Sequence, residues 1–139
     1  AFCYLTKNIS LNEVNHVVAV QGDLFDRELL RDVSADLIVS NPPYIIRDEI
    51  KTLQSEVQKE PQMALDGGID GYDFYRGIIK LWSKKLKHGG YIAFELGEDQ
   101  FDFVSELLKT HSFTDIKGYL DLGNTVRAVT AVYNPQNIK

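Results

Sequence analysis

Apolar positions along this chain follow two rhythms, one of helical spacing and one of short continuous runs. Phe2, Leu5 and Ile9 recur at helical spacing and predict a first helix from Phe2 to Leu11. Val17-Val18-Ala19-Val20 is a short apolar run. It reads as a buried strand ending in Gln21-Gly22-Asp23-Leu24, with a further helical turn from Leu24 to Leu30. Asp36-Leu37-Ile38-Val39-Ser40 is a second run, of the kind buried on both faces in parallel sheets covered by helices. Ile46, Ile50, Leu53 and Val57 then mark an amphipathic helix that Glu60-Pro61 breaks.

The turn-rich segment Asp66-Gly67-Gly68-Ile69-Asp70-Gly71 precedes a helix striped by Tyr75, Ile78, Ile79, Trp82 and Leu86. Asp70 and Asp73 resemble its capping pair, and Gly89-Gly90 its stop. The aromatic stripe reads as core. A buried strand follows at Tyr91–Glu95, then a helix from Glu98 to His111 striped by Phe101, Val104, Leu107 and Leu108. Strands at Asp115–Leu120 and Val126–Tyr133 complete the series. This order predicts most of a doubly wound α/β sheet ending in an antiparallel hairpin, with residues 1–139 in a single domain.

Composition narrows the class without changing that picture. A chain of 139 residues suffices for one domain, and 44% hydrophobic with 25% charged residues is ordinary for a globular protein. No apolar stretch approaches the ~18 residues of a membrane span, and no signal peptide is visible. Cys3 is the single cysteine, which excludes a disulfide framework, argues against a zinc site and points to a cytoplasmic setting, with Cys3 itself as a small core residue. His16, His88 and His111 lack the spacing of a metal cluster or a catalytic base. The only methionine is Met63, so Ala1 reads as a position inside a trimmed or longer protein.

The chemistry concentrates at Asn41-Pro42-Pro43-Tyr44, directly after the Asp36–Ser40 strand. Ligand sites of such sheets lie beyond the carboxyl ends of the strands. Two prolines fix two successive φ angles, remove two N–H donors and keep Asn41 extended. The result is a stiff ledge with an amide, free carbonyls and an aromatic tip. A plain proline-rounded turn would also contain Asn-Pro-Pro, but the strand before it and the aromatic after it fit a binding ledge better. An amide or exocyclic amino nitrogen is a poor nucleophile because its lone pair is delocalised. The Asn41 side-chain oxygen and the Pro42 carbonyl can each accept one hydrogen of an NH2 group, orienting that lone pair toward a methyl donor. Tyr44 can cover a flat substrate and offer its ring face to a positive charge.

From about Ile9 onward the sequence resembles the HemK-type (PrmC) glutamine methyltransferases of class I, which modify the Gly-Gly-Gln loop of bacterial peptide-chain release factors. The likeness rests on Gln21-Gly22-Asp23-Leu24-Phe25, Asn41-Pro42-Pro43-Tyr44, and Glu60-Pro61 followed by Ala64-Leu65-Asp66-Gly67-Gly68. It continues through Asp70-Gly71, Tyr75-Arg76, Gly89-Gly90, Glu95-Leu96-Gly97 with Gln100, and Asp121-Leu122-Gly123 with Arg127. The resemblance implies a Rossmann-like sheet with helices on both faces, and S-adenosyl-L-methionine as cofactor. It also implies that Asn41, Pro42 and Tyr44 hold the substrate glutamine, with Pro43 and Glu60 in the substrate site. Asp23 and Leu24 would lie beside the cofactor adenine, and Asn41 would also contact the cofactor.

Part of the family pattern is missing. Neither the strand leading to a Gly-x-Gly-x-Gly loop nor the strand ending in a ribose-binding acid precedes the first helix, and Gly67-Gly68-Ile69-Asp70-Gly71 follows no strand end. The chain therefore reads as the C-terminal portion of one methyltransferase domain. With the central strands missing, either the Val17–Gln21 and Asp36–Ser40 strands pair with each other or across a homodimer, or the missing residues exist in the molecule outside this sequence. Two alternatives stay open: an adenine-N6 nucleic-acid methyltransferase, and a non-catalytic fragment lacking the cofactor loop. Charge weighs against nucleic acid. Between Asn41 and Gln62, Arg47, Lys51 and Lys59 face Asp48, Glu49, Glu56 and Glu60, and the whole chain carries −5.

Overall fold

The computed structural model describes residues 1–135. In chain order the elements are α1 (Phe2–Leu11), β1 (Ala35–Ser40), α2 (Asp73–Trp82), β2 (Leu86–Glu95), α3 (Phe101–Thr110), β3 (Phe113–Leu120) and β4 (Val126–Tyr133). The sheet order is β1-β2-β4-β3. β1 runs parallel to β2, and β4 pairs antiparallel with β2 and β3. This is the expected α/β sheet with its C-terminal antiparallel hairpin. Among the described residues no helix is long and apolar enough to cross a membrane.

Alternation along the strands decides where the core sits. Ile92 and Phe94 of β2, with Val129 and Ala131 of β4, point to one face and are buried. Tyr75, Ile78 and Ile79 of α2 and Val104 and Leu108 of α3 cover that same face. The opposite face carries Leu37, Val39 and Tyr91, which are 55%, 69% and 53% exposed. The face of β1 and β2 opposite α2 and α3 is thus left largely exposed among the described residues.

Several local expectations give way to tertiary context. Residues 17–21 form no strand, because no neighbouring strand supplies the ladder that would hold them extended. β1 pairs with β2 alone, so the expected pairing of 17–21 with β1 is also missing within the chain. α1 forms as the spacing predicts, but its apolar stripe buries nothing, and Cys3 is exposed rather than in the core.

The predicted helix over Ile46–Val57 is replaced by short 3₁₀ segments at Arg47–Thr52, Val57–Lys59 and Gln62–Ala64. Its first turn is diverted into an extended pairing. The Ile45 N–H donates to Leu65 O at 3.0 Å, Gly67 N–H to Ile45 O at 2.8 Å, and Arg47 N–H to Gly68 O at 2.9 Å.

Gly89-Gly90 does not stop a helix. α2 ends in a 3₁₀ turn at Ser83–Lys85, and Gly89 lies within β2 at φ +77°. There, two steps of β1 (Ala35 to Leu37) face five of β2 (Leu86 to Tyr91). Such a bulge needs a residue that accepts positive φ. Nor do Asp70 and Asp73 form a cap: no side chain caps α2, and the Asp70 carboxylate instead accepts the Tyr72 N–H at 3.2 Å. α3 begins at Phe101, three residues later than Glu98.

Candidate functional site

The ledge stands where β1 ends, beside the parallel carboxyl end of β2, as the strand-end rule requires. Asn41 is exposed, Pro42 is buried, and Pro43 and Tyr44 are half-buried. Asn41, Pro42, Pro43 and Tyr44 line one cleft of about 240 Å³, and Glu60 shares it. Five of the sequence-predicted site residues are therefore brought together.

Tyr44 is held from several sides. Its hydroxyl donates toward Glu95 Oε1 at 3.5 Å, and the Arg127 guanidinium donates to that hydroxyl at 3.4 Å. The guanidinium carbon lies 6.0 Å from the ring centroid, so the expected positive charge on the ring face is Arg127. Arg127 in turn reaches Asp121 Oδ2 at 3.8 Å. Asp121 also shapes the β3–β4 turn, accepting Gly123 N–H at 2.7 Å and Thr125 N–H at 3.0 Å.

The backbone behind the ledge leaves no space. A Cβ on Gly67 would stand 2.7 Å from Tyr44 Cα, and one on Gly97 would stand 2.9 Å from Tyr44 Cδ2. On the exit side, Arg47 Nε donates to Asp66 Oδ2 at 2.9 Å, and Asp66 Oδ1 accepts the Gly68 N–H at 2.9 Å. The Arg47 hydrogen bond is the main reason that the Asp66 carboxyl sits below the ordinary carboxylate range. Inside, Tyr75 Oη lies 2.9 Å from Glu95 O and 3.1 Å from Gln100 Oε1, and burial pushes its phenol pKa well up.

Asp23 and Leu24 are placed elsewhere. They line a separate cleft with Gln21, Gly22 and Phe25, facing Arg47, Met63, Asp66, Asp73 and Phe74. The Asp23 carboxylate accepts the Phe25 N–H at 2.8 Å, and Leu24 O accepts from Trp82 Nε1 at 2.9 Å. Asp23 and Leu24 thus line one cleft and Asn41 another.

Glu95, Gln100 and Arg127 are ledge partners that the residue pattern alone did not assign. In the sequence, Glu95-Leu96-Gly97 with Gln100 and Asp121-Leu122-Gly123 with Arg127 stood only as motifs that carry the family resemblance.

No family model matches the chain. Solved methyltransferases share its fold. An O-methyltransferase family protein from Burkholderia thailandensis superposes with a TM-score of 0.61 at 10% identity, covering 96% of this chain and 41% of that one. The hMettl16 catalytic domain, solved with an RNA hairpin, gives 0.58 at 18% identity, covering 97% and 54%. Together, sheet and ledge define a class I methyltransferase fold. In sequence, the chain is 43% identical over 123 residues to the release factor glutamine methyltransferase of Clostridium acetobutylicum, covering 88% of this chain and 43% of that protein. It is 45% identical over 121 residues to that of Clostridium botulinum, covering 86% and 43%, and 42% identical over 126 residues to that of Fusobacterium nucleatum, covering 90% and 35%. The chain belongs to the release factor glutamine methyltransferase family and spans less than half the length of these curated relatives.

Proposed function

We propose that this chain is the acceptor-side portion of a methyltransferase domain. The complete enzyme would transfer a methyl group from S-adenosylmethionine to the side-chain amide nitrogen of a glutamine in a peptide-chain release factor. The observation that carries this reading is the ledge: a proline-stiffened amide and two carbonyls at the carboxyl end of β1, in one cleft with Glu60, in a chain of this family.

When bound, the cofactor supplies a methyl group on a sulfonium, already activated for transfer. The residues of this chain act on the acceptor. The Asn41 side-chain oxygen and the Pro42 carbonyl each accept one hydrogen of the substrate NH2, which orients the nitrogen lone pair out of the cleft. The ring of Tyr44 covers the flat amide, and Pro43 keeps the three groups in register. Glu60, on the cleft wall, offers a carboxylate to the N–H groups of the substrate loop. Asp23 and Leu24, which line the cleft with Phe25 and Phe74, would lie beside the cofactor adenine.

The test is a methyl-transfer assay with the full-length gene product, S-adenosylmethionine and either release factor or duplex DNA. Mass spectrometry would then locate the product. A methyl on glutamine supports the reading. A methyl on adenine, or none on either substrate, overturns it.

A further inference from the structure

Gln100 stands at the N-cap of α3 but caps nothing: no side-chain bond to the helix start is made. Its side chain turns away from the helix into the strand ends and is buried, at 7% exposure. There Nε2 donates to Tyr44 O at 3.1 Å and to Gly71 O at 3.4 Å. Oε1 accepts the Gly97 N–H at 2.9 Å and lies 3.1 Å from the Tyr75 hydroxyl. The amide orientation follows from the partners, since carbonyls can only accept and a backbone N–H can only donate. Both donors and one acceptor site of the amide are thereby engaged, and the single hydrogen of the Tyr75 hydroxyl is shared between Oε1 and Glu95 O.

One of those contacts completes a pair. The peptide unit joining Tyr44 to Ile45 has its carbonyl held by Gln100 and its N–H held by Leu65 O at 3.0 Å. With both ends tied, the plane of that unit is fixed. Proline rings already fix φ at Pro42 and Pro43, so the ledge keeps little torsional freedom on the side away from β1.

We propose that Gln100 is a positioning residue for the methyl acceptor, acting through the Tyr44 carbonyl to set the attitude of the ledge. It touches neither substrate nor cofactor. The proposal rests on the functional reading above and adds a residue to it. A deviation of about 1 Å in a reacting group costs on the order of 10²-fold in rate, so a clamp of this kind is felt in turnover.

Gln100→Glu separates positioning from packing. It preserves volume and keeps both acceptor contacts, to Gly97 and Tyr75. It replaces the two donated bonds with a carboxylate facing two carbonyls. Burial and those carbonyls raise the pKa of the introduced carboxyl, so acid restores a proton that can be donated to the Tyr44 carbonyl. In the full-length gene product, well below its melting temperature, kcat on release factor falls by ~10²-fold with cofactor affinity and KM unchanged. As pH is lowered, the kcat of the variant relative to wild type climbs. A purely structural Gln100 predicts a lower melting temperature with kcat per folded molecule intact and no recovery in acid. That result, or a loss shared equally by kcat and cofactor affinity, overturns the proposal. A wild-type enzyme unable to methylate release factor would overturn the functional reading instead. Faster hydrogen exchange at the Ile45 amide in Gln100→Glu would still support the clamp, and unchanged exchange would reject it.

Discussion

The guanidinium of Arg127 lies over the ring of Tyr44, 6.0 Å from its centroid, and donates to the Tyr44 hydroxyl at 3.4 Å. This ties β4 to the ledge across 83 residues of sequence. Both contacts of the hydroxyl, to Arg127 at 3.4 Å and to Glu95 at 3.5 Å, are at the long end for hydrogen bonds. The ring face should therefore matter more than the hydroxyl. Tyr44→Phe is expected to keep turnover within about threefold of wild type, whereas Tyr44→Ala, which removes the cover, should lose about 10²-fold. Steady-state kinetics on release factor would check this, and equal losses in both variants would reject the role given to the ring.

Asn41→Ala should lower turnover far more than it changes cofactor affinity. In the proposed reading the amide of Asn41 acts on the acceptor nitrogen, and loss of such positioning commonly costs about 10²-fold. Single-turnover rates and cofactor titration on the same preparation separate the two effects. A variant with a normal single-turnover rate and lost cofactor binding would contradict the assignment.

The pairing of Tyr75 with Glu95 O and Gln100 predicts a stability effect at a distance from the ledge cleft. Tyr75 is fully buried, and Tyr75→Phe leaves the Glu95 carbonyl without its hydroxyl donor. Stranding such a group costs about 1–3 kcal/mol. Urea unfolding should show a lower midpoint with an unchanged slope.

Acid stability should depend on Asp66 and Asp70. Hydrogen bonds from Arg47 and Arg76, respectively, are the leading reasons that their folded pKa values lie below the ordinary one. A carboxyl with a depressed folded pKa contributes fully above its unfolded value, about 3.9, and the contribution fades as pH falls through the folded value. Stability should thus decline below about pH 4. Asp66→Asn should be less stable than wild type at neutral pH, and the difference should close in acid. Unfolding midpoints measured across that range would show it, and a constant difference would exclude the linkage.

Legibility in the sequence tracked how local the determining forces were. The stripe Tyr75, Ile78, Ile79 buries what its spacing says it buries, because α2 finds its partners within the chain, whereas of the run Tyr91–Glu95 only Ile92 and Phe94 are buried. Asn41–Tyr44 stood out because proline stiffness is local too. The run Val17–Val20 failed as a strand because extended backbone is stabilised by a neighbour, and none is adjacent here. Ile46–Val57 failed as a helix because its first residues are claimed by Leu65–Gly68, a contact that periodicity does not encode. Gln100 was visible as part of a motif, but its role depends on four segments meeting in space.

The separation of the two clefts bears on the chain taken by itself. Asp23 and Leu24 line a cleft with Asp73 and Phe74, while Asn41 lines another with Glu60. A ligand that touches both sets must order the Gln21–Leu24 turn, which lies in no helix or strand, at an entropy cost of about 1–2 kcal/mol per residue fixed. The 139-residue polypeptide should therefore bind S-adenosylmethionine weakly or not at all, while the full-length gene product binds it. Calorimetric titration of both proteins decides the matter. Micromolar binding by the short chain as a monomer would overturn this expectation.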